Sequence, residues 1–211
     1  MMKSENLKEC IKTAYLLQLR HGPFTQEEFE ASAHAPELQH LLSLGYLTKH
    51  DGGDLRYSLA AKGRSQIKVV LAGGVYDVLH LGHLAALNEA KSFGDLLVAV
   101  VATDITVEML KGRKPMFPEK DRQALVEGLK PVDKAILGYE DVGFGFEEVL
   151  TEVMPDIVAF GYDQENLEKT VREIIEKHNL KVQTVKLSKF DHEKYVSSTS
   201  FRKKMSEDLH K

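Results

Sequence analysis

Gly73-Gly74-Val75-Tyr76-Asp77-Val78-Leu79-His80-Leu81-Gly82-His83 is the stretch on which the reading of this chain turns. The apolar run at 67–72 before it reads as a buried strand, and the stretch itself opens an amphipathic helix. A glycine-rich turn feeding a helix N-terminus favours a bound anion, because unpaired N–H groups and the helix dipole point the same way. His80 and His83 lie three residues apart and share one face of the first turn. Gly82 between them lets a ligand approach the backbone. This is equipment for holding phosphates.

Outward from that stretch, the pattern alternates strand and helix. Strands are expected at 67–72, 96–102, 134–137, 156–160 and 181–187. Helices are expected at 84–93, 119–129, 146–153 and 167–178. The alternation predicts an α/β domain over 67–211, a Rossmann-like doubly wound parallel sheet with its ligand beyond the carboxyl ends of the strands.

Residues 1–66 read differently. Leu7, Ile11, Ala14, Tyr15 and Leu19 recur at helical spacing, Thr25-Gln26-Glu27-Glu28 forms a capping box, and 36–44 makes a third helix. Residues 46–49 and 55–59 flank an Asp-Gly-Gly-Asp turn and read as a hairpin, with 62–66 as linker. Three helices and a hairpin resemble a small winged helix-turn-helix domain. Its eight lysines and arginines are matched by eight acidic residues, and its presumed recognition helix carries neither lysine nor arginine. A protein-interaction or dimerisation module therefore fits better than a DNA reader, although Lys49 and Arg56 in the hairpin keep DNA open.

Bulk properties narrow the class. The 211 residues are 43% hydrophobic and 28% charged with a formal net charge of −4. That balance gives no general case for nucleic acid or an anionic membrane as partner. One cysteine, Cys10, makes no disulfide framework. With no secretory signal and no span-length apolar run, a cytoplasmic protein without membrane association is expected.

Two histidines on a helix are also a metal pair or simple caps, but with only Asp77 nearby a metal set is incomplete and no protein metal site is expected. Ser197, Ser198 and Thr199 precede a short basic segment, where hydroxyls and N–H groups form a second anion cradle. Arg202, one turn on, adds a forked donor. Lys111-Gly112-Arg113-Lys114-Pro115 is either a solvated basic loop or one that folds over phosphates.

The segment from Gly74 to His83 resembles the Gly-(Thr/Val)-Phe-Asp-x-x-His-x-Gly-His signature of the cytidylyltransferase-like nucleotidyltransferases. Val196-Ser197-Ser198-Thr199-Ser200-Phe201-Arg202 matches their second signature, Ile-Ser-Ser-Thr-x-Ile-Arg. The resemblance implies nucleotide contacts at Gly74, Val75, Tyr76, Asp77, His80, Leu81, Gly82, His83, Ser198 and Thr199. It adds Arg122 near the phosphates and Gly161 and Asp163, in a Gly-x-Asp segment, beside the nucleotide. It implies catalysis by His80 and His83 as donors to the α- and β-phosphates, and by Lys111 and Arg202 on the pyrophosphate, with Mg²⁺ carried by ATP. A homodimer is also implied.

The implied reaction is attack of an acceptor phosphate on the α-phosphate of a nucleoside triphosphate. Residues 111–115 and 129–138 resemble archaeal-type FAD synthases, so FMN and ATP are the expected substrates, with FAD as product. Phe144 and Phe146 are candidates to stack on an isoalloxazine. A polyol- or sugar-phosphate cytidylyl- or adenylyltransferase is the sister alternative. The arginine that glycerol-3-phosphate cytidylyltransferases carry before their second signature is absent from 189–196, which counts against CTP. A nucleotide-responsive DNA-binding regulator is the alternative from another class.

Overall fold

The computed structural model describes residues 4–32, 37–52, 54–140 and 145–190. The chain divides into two compact units, Met1–Lys68 and Val69–Lys211.

In the first unit, α1 (Ser4–His21) is followed by the two-residue β1 (Phe24–Thr25), α2 (Gln26–Ser32) and α3 (Glu37–Ser43). Then come β2 (Leu47–His50), β3 (Arg56–Leu59) and the short α4 (Ala61–Arg64). The capping box forms as expected: Thr25 N–H donates to Glu28 at 2.7 Å, and Glu28 N–H donates to Thr25 Oγ1 at 3.2 Å. The strands make an antiparallel sheet in the order β1-β3-β2, with Phe24 opposite Tyr57 and Leu47 opposite Leu59. Burial of Ile11, Phe24, Phe29, Leu41 and Tyr57 supplies this unit's core. The hairpin is thus a three-stranded sheet, because Phe24 pairs across to a strand far along the chain. Part of the expected linker is α4.

The second unit begins with β4 (Val69–Gly74) and continues through α5 (Leu81–Ser92), β5 (Leu96–Val101), α6 (Asp104–Lys111) and α7 (Glu119–Glu127). It closes with β6 (Lys134–Leu137), α8 (Phe146–Val153), β7 (Ile157–Phe160), α9 (Glu165–Lys177) and β8 (Gln183–Lys186). Every strand pairing is parallel, in the order β6-β5-β4-β7-β8. Helices flank the sheet in a Rossmann-like arrangement, and all six residues of β5 are buried, as strands covered on both faces require. Because the chain runs from β4 outward through β5 and β6 and then crosses to β7, the order reverses between β4 and β7. Their carboxyl ends therefore border a crevice.

Helix α6 was not expected. Its eight residues run from Asp104 of the expected turn to Lys111 of the expected basic loop, with Thr103 Oγ1 accepting from Thr106 N–H at 3.2 Å as N-cap. Among the described residues no helix is long and apolar enough to cross a membrane.

Candidate active site

The crevice is a cavity of about 520 Å³, bordered by the ends of β4 and β7, the starts of α5 and α9, the end of α6 and the exit of β8. Gly74, Val75, Tyr76, His80, Gly82, His83, Lys111, Gly161 and Asp163, each expected from the sequence, line it. Asp77, Leu81 and Arg122 do not. Ser198, Thr199 and Arg202, with Phe144, lie outside the described residues.

The β4–α5 turn is built by close approach. Tyr76 adopts a left-handed backbone, φ 52°, which folds its ring back over Gly74. A Cβ on Gly74 would meet that ring at 2.7 Å, so any larger residue would displace the Tyr76 ring. The ring then stands 5.4 Å from the His83 imidazole, which stacks on His80 at 3.9 Å. A strained residue in so packed a turn fixes both imidazoles.

His80 is the N-cap of α5. The Gly82 N–H donates to its Nδ1 at 3.1 Å, so Nδ1 must be unprotonated and the proton resides on Nε2. Burial lowers the His80 pKa. His83 is pushed down to about 4, by burial first and then by the neighbouring His80 and Lys111. Both imidazoles are therefore neutral at pH 7, each with one N–H to donate. The Nδ1 of His83 is buried with no hydrogen-bond partner among the described residues. A buried polar atom left so in a cavity is a place where a ligand atom completes the bonding.

Lys111 is the last residue of α6 and brings a positive charge to the same cavity. Among the described residues no group of three or more His, Cys, Asp or Glu is placed to hold a metal ion.

Asp77 and Arg122 are both buried and bonded within the protein. Asp77 is 4% exposed and accepts from Met116 N–H at 2.5 Å and Phe117 N–H at 3.3 Å, with Arg113 3.6 Å away. Arg122 is 0% exposed. Its guanidinium donates to Phe117 O at 2.9 Å, Val75 O at 2.5 Å and Asp104 Oδ1 at 2.7 Å. Three bonds and full burial leave it joining the loop after α6 to the exit of β4, and it is not among the residues that line the cavity. Leu81 faces outward and is 59% exposed. Phe146 is a buried core residue, not a stacking platform.

Among the cavity residues that the sequence does not single out, two carry side-chain bonds that tie its walls together. Gln164 bonds both Gly73 and Gly161 across the crevice. Ser188 lines the exit of β8, where its N–H and hydroxyl both donate to the Glu89 carboxylate of α5, each at 2.9 Å. Neither is signalled by periodicity, because both depend on partners nearly a hundred residues away.

Comparison with known proteins places this geometry. Residues 71–204 match the cytidylyltransferase-like family. The chain belongs to it. As in that family, the second unit is a nucleotidyltransferase, and the first unit lies outside the matched residues. The FAD synthase of Thermoplasma acidophilum is 44% identical over 138 residues, 65% of this chain and 94% of that protein. The FAD synthase of Aciduliprofundum boonei is 47% identical over 121 residues, 57% of this chain and 78% of that protein. A solved structure described as a lipopolysaccharide core biosynthesis protein, from Thermoplasma volcanium, superposes with a TM-score of 0.54 at 43% identity. It covers 59% of this chain and 99% of its own.

Proposed function

We propose that this chain is an FMN adenylyltransferase, joining AMP from ATP to the phosphate of FMN and releasing pyrophosphate. The observation that carries the reaction is the pair of neutral, stacked histidines facing Lys111 in the crevice at the strand-order reversal. The acceptor rests on the FAD synthases to which the chain is similar.

An FMN phosphate oxygen attacks the α-phosphorus, the bond from that phosphorus to the bridging oxygen breaks, and pyrophosphate leaves with the electron pair. The attacking oxygen is already anionic, so no residue has to remove a proton. Catalysis is then positioning and charge stabilisation. His80, through Nε2–H, and His83 donate to oxygens on the α- and β-phosphates. Lys111 offsets the charge that grows on the leaving group, and Arg202, Ser198 and Thr199 are assigned to the same phosphates by the family signature. Mg²⁺ bound through the phosphate oxygens would supply further charge neutralisation without a protein cage, consistent with its preference for few protein ligands.

For the first unit we favour the winged helix-turn-helix reading, supported by helices α1, α2 and α3 with a three-stranded antiparallel sheet, the short α4 following it. Its balanced charge argues for protein contacts, including a homodimer, over DNA. Pyrophosphate release from ATP or CTP, crossed with FMN, glycerol 3-phosphate and sugar phosphates, tests the main reading. Turnover of ATP with FMN is expected. Turnover confined to CTP and an alcohol phosphate would overturn it.

A further inference from the structure

Parallel strands β4 and β7 pair through Ala72 and Ala159, and their ladder ends there. Beyond it, the Gly73 carbonyl and the Gly161 N–H need other partners at the floor of a crevice. One side chain serves both. Gln164 Oε1 accepts from Gly161 N–H at 2.7 Å, and Gln164 Nε2 donates to Gly73 O at 2.9 Å. The carboxamide therefore acts as one more rung between the two strands that flank the crevice.

The same residue is bonded through its backbone on both sides. Its N–H donates to Gly161 O at 3.1 Å and its carbonyl accepts from Glu168 N–H at 2.9 Å, which starts α9. Gly161, Tyr162 and Asp163 form a turn closed on Gln164, and all three line the cavity with the histidines. The turn's offerings suit a nucleobase. Tyr162 is an aromatic face with the Lys189 ammonium 5.8 Å from its centre. The Asp163 carboxylate accepts hydrogen bonds only, which matches the exocyclic amine of adenine or cytosine.

We infer that Gln164 is a positioning residue for base recognition. Its carboxamide fixes the Gly161–Asp163 turn at one distance from the histidines and so sets the length of the slot between phosphates and base. Slot length is what separates a purine from a pyrimidine when both carry an exocyclic amine. This rests on the nucleotidyl-transfer reading above, and it concerns the nucleoside side of the site rather than the acceptor.

The test is calorimetric titration of the full chain with ATP and with CTP, for wild type, Gln164→Ala and Gln164→Glu. Gln164→Glu keeps the side-chain shape and the acceptor for Gly161 but loses the donor to Gly73. It serves if Gln164→Ala fails to fold. Both variants should bind ATP at least tenfold more weakly and narrow the ATP-to-CTP affinity ratio, while the KM for FMN stays within about threefold. A merely structural glutamine would lower the melting temperature and leave the affinity ratio alone. That result, or unchanged ATP affinity, overturns the inference. So does a wild type that binds ATP and CTP equally. Wild-type protein that prefers ATP but makes no FAD refutes the acceptor alone and leaves the role of Gln164 standing on the binding data.

Discussion

Arg122 offers the sharpest test of the structure against the sequence, because the two give it different work. By resemblance it meets a phosphate; in the fold it is fully buried in three hydrogen bonds. Substituting Arg122→Met keeps much of the volume and removes the donors. The Val75 and Phe117 carbonyls are then stranded, each at a cost of about 1–3 kcal/mol. The Asp104 carboxylate is 42% exposed and turns to water, so losing it adds little. The sum is about 4 kcal/mol, inside the range for breaking a buried charged contact. For a unit of this size that lowers the melting temperature by roughly 10–20 °C. Circular-dichroism melting of wild type and Arg122→Met measures it, and ATP titration well below the transition should show less than a threefold change in affinity. A melting temperature within about two degrees of wild type, with ATP affinity reduced tenfold or more, would refute the reasoning and return Arg122 to the phosphates.

Other outcomes follow from the same geometry. Burial holds the His83 pKa near 4 against the ordinary 6.5, so on acidification the unfolded chain takes up this proton first. Its contribution to stability is complete above pH 6.5, declines between 6.5 and 4, and levels off below, a loss of roughly 3 kcal/mol. Denaturant unfolding across that window tests this, since His83→Phe should flatten that part of the profile. His83→Ala should lower kcat by on the order of a hundredfold, as loss of an aligned donor to a developing charge does. A full rate in a steady-state assay would remove His83 from the chemistry. Gly145 precedes α8 at φ 55°, and a Cβ there would clash with the Tyr139 Cβ. Gly145→Ala should therefore destabilise the second unit by about 2 kcal/mol or more, read as a lower urea midpoint.

Much of the second unit was legible because burial on both faces makes strands read as apolar runs. β6 and α8 fall on the residues the pattern indicated, Lys134–Leu137 and Phe146–Val153. Helix α6 was not legible. Of its apolar residues only Val107 is buried, while Ile105, Met109 and Leu110 are exposed, so no apolar stripe marks a face. The histidine turn was legible as chemistry because its residues are contiguous. Arg122 and Gln164 were not legible, since a charged or amide side chain reads as surface until its distant partners are known. The strand β1 was missed for a related reason: two residues become a strand only by pairing with Arg56 and Tyr57.

The Gly82 N–H that fixes the His80 tautomer has a consequence for the catalytic cycle. A base must shed its proton before it can act again, and an acid must recover one. An imidazole that only lends an N–H begins and ends each turnover in the same state. In the proposed reaction neither the histidines nor the attacking phosphate changes its count of protons. The free site is therefore ready for the next nucleotide as soon as the products have gone, with no resetting step and no dependence on buffer to supply one.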